Sequence, residues 1–286
     1  MSPSRDETDT AYGARATVSD AEFDSTIERY RTTSDEAIAT MKGAREIRFD
    51  PGSDERLDVW GAGDRDLRPV VVAVHGGYWR MLSRHDTAFM ARALDAAGTA
   101  TVPIDYTLAP EASLEEIVRQ VRAAIAWVHR NGAEHGLDPD RIHVVGSSAG
   151  AHLAAMTALA GWQEELGLPP DVVKGALTIS GLFDLRPLVD SFANEWLGLD
   201  QERAAALSPA LAPVGPARMS VALAADEASG FREQSRDFHR RWQAHGATYD
   251  VVPGRNHFDV FLDLADPDST LFHRLLQFVD VSRPGR

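Results

Sequence analysis

One short pattern carries the clearest chemistry in this chain. Residues 146–150 read GSSAG, a Gly-x-Ser-x-Gly pattern with Ser148 at its centre. A β-branched segment at residues 141–145 precedes the pattern, and a stretch rich in helix-forming residues at 151–156 follows it. Strand, tight turn and helix is the context of a nucleophilic serine, because the turn exposes the hydroxyl and the helix directs its N-terminal N–H groups at the reacting atoms. The pattern therefore predicts that Ser148 is the nucleophile of an acyl-transfer reaction, rather than a chance match in a chain rich in glycine and alanine.

A serine hydroxyl needs a base to accept its proton, and the best-placed candidate is His257. It lies in the sequence GRNHF at residues 254–258, in a loop after the last predicted strand. The competing histidines lie in helical patterns, at a helix end, inside a strand or on the helix that follows the serine: His239, His245, His273, His129, His135, His143 and His152. We predict that His257 is the base, against the alternative of an exposed loop histidine.

The base needs a carboxylate that orients it, and in this chain order the acid lies between the serine and the histidine. Asp226 is the first polar residue after the apolar segment at residues 221–225, and it is the predicted acid. Glu227 is the adjacent alternative, whereas Asp259 follows the base in the chain. The two acidic residues can also be interpreted as a solvated turn that caps the next helix.

Acyl transfer also needs donors for the oxyanion that develops on the carbonyl. The segment HGGYW at residues 75–79 directly follows the apolar run at 70–74. Glycine lets the backbone turn its N–H groups towards a substrate carbonyl. We predict that the backbone N–H groups of Gly77 and Ala149 are the donors, with Tyr78 or Gly76 as a third.

Composition bounds the class of protein. The chain has 286 residues, of which 44% are hydrophobic, and this fits one large α/β domain. It contains no cysteine, which excludes disulfides, thiolate catalysis and cysteine metal sites. The net charge of −14 argues against nucleic acid as a partner, because phosphates select clusters of lysine and arginine.

The sequence also sets expectations for location and partners. The first ten residues lack the features of a secretory signal, and no apolar run approaches the length of a membrane span. We therefore expect a cytoplasmic protein that acts on a small-molecule substrate and does not bind membranes. No dinucleotide-binding glycine pattern and no HExxH-type ligand spacing occur, so no cofactor and no metal are expected. A homodimer is left open.

Apolar runs alternate with helical patterns along most of the chain. Two strands at residues 45–49 and 57–60 are predicted to form a hairpin. The continuous apolar runs that follow predict strands at residues 69–74, 100–104, 142–145, 176–179, 221–224 and 249–252. The helical patterns between them lie at residues 86–97, 114–130, 149–160, 231–245 and 270–279. This order predicts an α/β fold with a doubly wound, mostly parallel sheet and helices on both faces.

The sequence also predicts how the chain is divided. Residues 1–18 are expected to be disordered, and residues 19–282 are expected to form a single domain. The domain is expected to begin with a helix at 19–41, in which Ser19 and Glu22 form a capping box. The inward face of this helix comprises Phe23, Ile27, Tyr30 and Ile38. Residues 182–216 contain several prolines and no strand pattern, and we interpret them as a small lid insertion, with a purely structural excursion as the alternative.

Together, these segments resemble α/β-hydrolases, and more narrowly the kynurenine formamidase (arylformamidase) and related esterase branch. The similarity spans residues 20–280. The matching segments are HGGYW at 75–79, DYTLAPE at 105–111, LEEIVRQ at 114–120, AWV at 126–128, GSSAGAHL at 146–153, SGLFDL at 180–185, DEASGFREQS at 226–235 and NHF at 256–258. The resemblance implies a cofactor-independent hydrolase with the triad Ser148, Asp226 and His257. It also implies hydrolysis of an aryl formamide such as N-formylkynurenine. Ser147 departs from the histidine that many relatives carry inside the elbow.

Several residues are candidates for substrate binding. An aromatic leaving group suits an aromatic wall, and the candidates are Tyr78, Trp79, Phe183, Trp196 and Phe258, each with a place in the core as the alternative. Arg186 or Arg255 is a candidate partner for a substrate carboxylate. The same triad would also serve a general carboxylesterase or a natural-product hydrolase or acyltransferase. A ligand-binding module on a retired hydrolase fold is the alternative from another class.

Overall fold

Eight strands form one sheet within residues 4–281, the part of the chain that the computed structural model describes. They are β1 (Gly43–Arg48), β2 (Arg56–Trp60), β3 (Arg68–Val74), β4 (Ala100–Ile104), β5 (Leu137–Ser147), β6 (Val173–Ile179), β7 (Arg218–Asp226) and β8 (Thr248–Asn256). Their order across the sheet is β1-β2-β4-β3-β5-β6-β7-β8. The pairs β1–β2 and β2–β4 are antiparallel, and all pairs from β4 to β8 are parallel. The predicted hairpin and the mostly parallel sheet are therefore confirmed.

The described residues also contain ten α-helices. They are α1 (Arg5–Tyr12), α2 (Asp20–Thr40), α3 (Ala91–Ala96), α4 (Leu114–Asn131), α5 (Ala149–Ala158), α6 (Trp162–Glu165), α7 (Asn194–Leu197), α8 (Gln201–Ala206), α9 (Ser229–Trp242) and α10 (Thr270–Val281). Short 3-10 helices connect some of them, at Ala14–Thr17, Arg84–Met90, Gly132–His135, Arg186–Asp190, Gln243–His245 and Asp259–Ala265. The predicted helix at 86–97 is thus a 3-10 helix followed by the shorter α3. No helix within residues 4–281 is both long and apolar enough to span a bilayer.

The sheet separates two hydrophobic cores, and β3 contributes to both. Val70, Val72 and Val74 face one core, which α4, α5 and α9 cover. Val71 and Ala73 face the other core, which α3 and α10 cover. Successive residues of a strand point to opposite faces, so a strand buried on both faces requires an apolar residue at every position. This requirement explains the continuous apolar runs in the sequence.

Residues 1–18 were expected to be disordered, and the structure describes secondary structure within residues 4–18. Ser4 and Glu7 form a capping box at the start of α1, and a 3-10 turn follows at Ala14–Thr17. Residues 1–3 lie outside the described residues. α1 is short and polar, so its local sequence does not predict a helix, and its support comes from tertiary packing.

Packing on α9 holds α1 in place. The ring of Tyr12 makes an edge contact with Phe231, with ring centroids 6.1 Å apart. The side-chain amide of Gln234 donates to the Tyr12 hydroxyl at 2.8 Å. We call α1, the 3-10 turn and α2 together the N-terminal roof (residues 5–40), because they cover the cavity described below.

Residues 182–216, interpreted above as a lid insertion or a structural excursion, lie between β6 and β7 and are called the excursion here. They contain the 3-10 helix at Arg186–Asp190 together with α7 and α8. The backbone N–H of Phe192 donates to the Asp9 carboxylate at 2.6 Å, so the excursion contacts the N-terminal roof. The excursion and the roof therefore form one continuous cover.

Replacing Gly230 with alanine tests the docking of α1. The added Cβ would lie 2.6 Å from Cε1 of Tyr12 and 2.8 Å from the carbonyl oxygen of Ala11. Because α9 is anchored by buried Phe231 and Phe238, α1 must move instead. We expect amide exchange in residues 5–17 to become at least about tenfold faster in hydrogen-exchange mass spectrometry, with the central strands unchanged.

Ser229→Ala is the matched control, because Ser229 is the exposed neighbour of Gly230 on the same helix. Unchanged protection of residues 5–17 in Gly230→Ala would contradict the docking of α1 on α9.

Candidate active site

Ser148 lies in a strained turn between β5 and α5. Its backbone has φ of 58° and ψ of −120°, a conformation that costs a non-glycine residue about 1–3 kcal/mol. The turn brings the backbone of Gly150 close to the neighbouring strand β3. A Cβ on Gly150 would lie 2.2 Å from the carbonyl oxygen of Val74. Only glycine permits this approach, so the glycine of the pattern has a steric reason. The observed strand, turn and helix match the context predicted from the sequence.

His257 follows β8 and pairs with a buried carboxylate. Its Nδ1 lies 2.9 Å from Oε1 and 3.0 Å from Oε2 of Glu227. The side chain of Glu227 is fully buried, and that of His257 is 4% exposed. A carboxylate only accepts hydrogen bonds, so the proton of the neutral imidazole lies on Nδ1 and the Nε2 lone pair is left to accept a proton from another group.

The sequence prediction of Asp226 as the acid is corrected by this geometry. β7 continues through Asp226, which pairs in register with Asn256 of β8 and is exposed to solvent. Glu227 is therefore the first residue beyond the strand, and it points into the site. The apolar run ends before the strand does, and a shift of one residue at a strand end exchanges the two faces of the sheet. Glu227 stood in the sequence analysis only as the alternative.

Burial explains why other histidines are poor candidates for the base. Burial lowers the pKa of His152 to about 4 and that of His143 to about 3, so both imidazoles are weak proton acceptors. Nε2 of His152 also lies 2.8 Å from the carbonyl oxygen of Leu207, which makes it a donor to the backbone. His257 differs from both, because it lines the same cavity as Ser148.

The loop after β3 borders the serine. A Cβ on Gly76 would lie 3.4 Å from Cβ of Ser148, so the loop backbone is in contact with the elbow. Gly77 has φ of 91°, which favours glycine, and it lines the cavity together with Gly76 and Tyr78. Ala149 is the first residue of α5, and an N–H at that position has no partner within its own helix. The predicted donors therefore lie on the two segments that border Ser148.

Hydrogen bonds with three other regions of the chain hold this loop in place. The Tyr106 hydroxyl lies 3.1 Å from the carbonyl oxygens of His75 and Gly76, and its ring stacks on His75 with centroids 4.0 Å apart. The Tyr78 hydroxyl donates to the carbonyl oxygen of Tyr12 in the N-terminal roof. The indole N–H of Trp196 donates to the carbonyl oxygen of Tyr78 at 3.0 Å. The cover of the site is thus hydrogen-bonded to the loop that borders the nucleophile.

Ser148 and His257 open into a cavity of about 210 Å³. Most of its lining is apolar and comes from the N-terminal roof, the loop after β3 and the segment after β8. The lining includes Phe23, Ile27, Tyr30, Met81, Leu82, Phe192, Phe258 and Phe261. The roof is therefore a wall of the candidate active site.

The structure divides the predicted aromatic wall. Tyr78 and Phe258 line the cavity that contains Ser148. Trp79 does not line it and is fully buried, with an edge contact to His152. Phe183 is also a core residue, stacked on Phe238 with centroids 4.0 Å apart. Trp196 borders a neighbouring, more open cavity.

Most of the aromatic residues that line the cavity were not predicted from the sequence. Phe23, Ile27 and Tyr30 were recognised as the inward face of a helix, but the pattern does not reveal what that face contacts. In the structure, the Tyr30 hydroxyl donates to the carbonyl oxygen of Phe258, the residue after the candidate base. The ring of Phe258 also makes an edge contact with Phe23, with centroids 5.0 Å apart. α2 therefore supports the loop that carries His257.

This strand order, with the serine after β5, the carboxylate after β7 and the histidine after β8, defines an α/β-hydrolase fold. A solved structure from Silicibacter sp. TM1040, described as a candidate thioesterase, superposes with a TM-score of 0.81 at 26% identity, and the match covers 93% of this chain and 98% of that one. A family model described as BD-FAE matches residues 57–194.

Similarity to curated proteins identifies the family. The chain is 31% identical to kynurenine formamidase of Salmo salar over 278 residues, which cover 91% of each protein. It is also 41% identical to carboxylesterase NlhH of Mycobacterium tuberculosis, but over 39% of this chain and 34% of that protein. The chain belongs to the kynurenine formamidase family of α/β-hydrolases, and it is a hydrolase.

Substitution of each of the two neighbouring carboxylates by its amide separates their roles. In Glu227→Gln, the side-chain amide can donate to Nδ1 of His257 and favour the wrong tautomer, so we expect kcat to fall about 10³- to 10⁴-fold. Asp226→Asn is the matched control at the exposed neighbour, and its kcat is expected to stay within about twofold. Steady-state kinetics on a chromogenic ester, with circular dichroism as a check of folding, measures both. A larger loss in Asp226→Asn than in Glu227→Gln would restore Asp226 as the acid.

Proposed function

We propose that the protein cleaves an aryl formamide of the N-formylkynurenine type through an acyl-enzyme on Ser148. The observation that carries the proposal is the buried His257–Glu227 pair, whose histidine lines the same cavity as a serine in an elbow turn. A neutral imidazole with its Nδ1 proton held by a carboxylate is the form that can accept a serine proton. The match to a kynurenine formamidase over 91% of the chain supports the choice of substrate.

The proposed reaction has two acyl-transfer steps. Nε2 of His257 accepts the Ser148 proton while Oγ attacks the formyl carbon. The backbone N–H groups of Gly77 and Ala149 stabilise the oxyanion of the tetrahedral intermediate. Glu227 stabilises the imidazolium, which then gives its proton to the departing arylamine. Water attacks the formyl ester by the same route, releases formate and restores the serine.

The cavity suits this substrate class. A formyl group is small and requires little space beside the loop after β3. The arylamine requires an apolar, aromatic environment, and the rings of Phe23, Phe192 and Phe258 line the cavity. We propose that the aryl group binds beneath the N-terminal roof.

A carboxylesterase is the second candidate. The same three side chains would cleave an ester, and the apolar lining does not select an amide nitrogen over an ester oxygen. The 41% identity to carboxylesterase NlhH favours esterase activity, but this match covers 39% of the chain, whereas the match to kynurenine formamidase covers 91%.

Steady-state kinetics on N-formylkynurenine, p-nitrophenyl acetate and p-nitrophenyl butyrate tests the proposal, with Ser148→Ala as the matched blank. We expect kcat/KM on the formamide of about 10⁴ M⁻¹s⁻¹ or above. In Ser148→Ala, which removes the nucleophile but keeps the fold, we expect turnover to fall by several orders of magnitude.

Two outcomes would count against the proposal. Strong ester turnover with little formamide cleavage would favour the carboxylesterase. Near-wild-type activity in Ser148→Ala would remove the serine from the mechanism altogether.

A further inference from the structure

The N-terminal roof brings one permanent charge to an otherwise apolar cavity. Arg15, in the 3-10 turn, is the one lysine or arginine among the described residues that line the cavity, and none of those residues is an aspartate or glutamate. An unpaired carboxylate is costly to bury among apolar side chains, whereas a guanidinium stabilises it through charge-assisted hydrogen bonds. The placement of Arg15 therefore bears on which substrates can enter.

The present contacts of Arg15 leave it available to a ligand. One Nη donates to the carbonyl oxygen of Val18 at 3.1 Å, and the other contacts the Asp20 carboxylate. The Asp20 side chain is 94% exposed, and such a solvent-exposed ion pair adds little stability. A carboxylate inside the cavity can replace Asp20 at low cost, because Asp20 then returns to water.

Phe23 orients the guanidinium. The central carbon of the guanidinium lies 4.6 Å from the centroid of the Phe23 ring, a distance at which cation and ring attract. Phe23 itself lines the cavity. The same short segment of the roof thus combines an aromatic surface with a cation.

The two arginines that the sequence suggested as carboxylate partners are occupied elsewhere. Arg186 forms an ion pair with Asp184 at 2.7 Å. Arg255 forms an ion pair with Asp263 at 2.8 Å. Neither lines the cavity that contains Ser148.

We infer that Arg15 is a substrate-binding residue that recognises a carboxylate on the leaving group, so that the preferred substrates are anionic aryl formamides or aryl esters. The inference rests on the proposed function for the formamide bond, while the carboxylate site applies equally to esters. It assigns the N-terminal roof a direct part in substrate selection.

A pair of esters that differ by one carboxylate tests the inference. Phenyl acetate and 3-carboxyphenyl acetate share the acyl group and carry a neutral or an anionic leaving group. The readout is the ratio of their kcat/KM values, anionic over neutral, in the wild type and in Arg15→Gln. We expect the substitution to lower this ratio about tenfold to a hundredfold, as the loss of a charge-assisted hydrogen bond predicts.

Two further variants act as controls. Arg15→Lys keeps the charge and is expected to retain part of the preference for the anionic ester. Arg186→Gln removes an exposed arginine outside the cavity and is expected to leave the ratio unchanged. An equal loss on both esters in Arg15→Gln would assign Arg15 to the structure of the roof, and an unchanged ratio would exclude it from substrate recognition; either result overturns the inference.

Turnover of N-formylkynurenine by the same variants separates this inference from the proposed function. If the wild type does not cleave the formamide but Arg15→Gln still lowers the ester ratio, the proposed function fails and the carboxylate site stands. If the wild type cleaves the formamide and Arg15→Gln leaves its kcat/KM and the ester ratio unchanged, the inference fails and the proposed function stands.

Discussion

The hydrogen bond between Nδ1 of His257 and the carboxylate of Glu227 is the interaction on which the candidate site depends. It fixes both the tautomer and the orientation of the imidazole, and it places a negative charge where an imidazolium would form. Because both groups are buried, water cannot substitute for either partner. The bond requires β7 and β8 to be adjacent and in the observed register, so the sheet topology is a condition of the chemistry.

The cover of the site is coupled to its reactive groups. The N-terminal roof contacts the loop after β3 through Tyr12 and Tyr78, and it contacts the segment after β8, which carries His257, through Tyr30 and Phe258. The excursion between β6 and β7 adds Trp196 to the same loop. A displacement of the roof would therefore change the cavity wall and remove supports from the loop after β3, which carries the proposed oxyanion donor Gly77, and from the segment that carries His257.

Much of this arrangement can be predicted from the sequence, since the continuous apolar runs specify buried strands and GSSAG specifies the elbow. Which carboxylate pairs with His257 could not be predicted, because the sequence does not show that β7 continues through Asp226 and leaves Glu227 as the first residue beyond it. The residues that form the cavity wall could not be predicted from the sequence either. Trp79 and Phe183 are as aromatic as Phe258, and only tertiary packing decides which of them enters the core. The helix and the 3-10 turn within residues 4–18 were not predicted, because contacts with α9 and with the excursion support them and local sequence does not reveal such contacts.

The most direct test of the account is covalent labelling of the nucleophile. A fluorophosphonate reacts with a serine only when a base activates it, and peptide mapping by mass spectrometry locates the adduct. The account predicts one adduct per chain, on the peptide that contains Ser148, and its loss in His257→Gln. An adduct on another residue, or labelling of Ser148 that persists in His257→Gln, would contradict the assignment of this serine and this base.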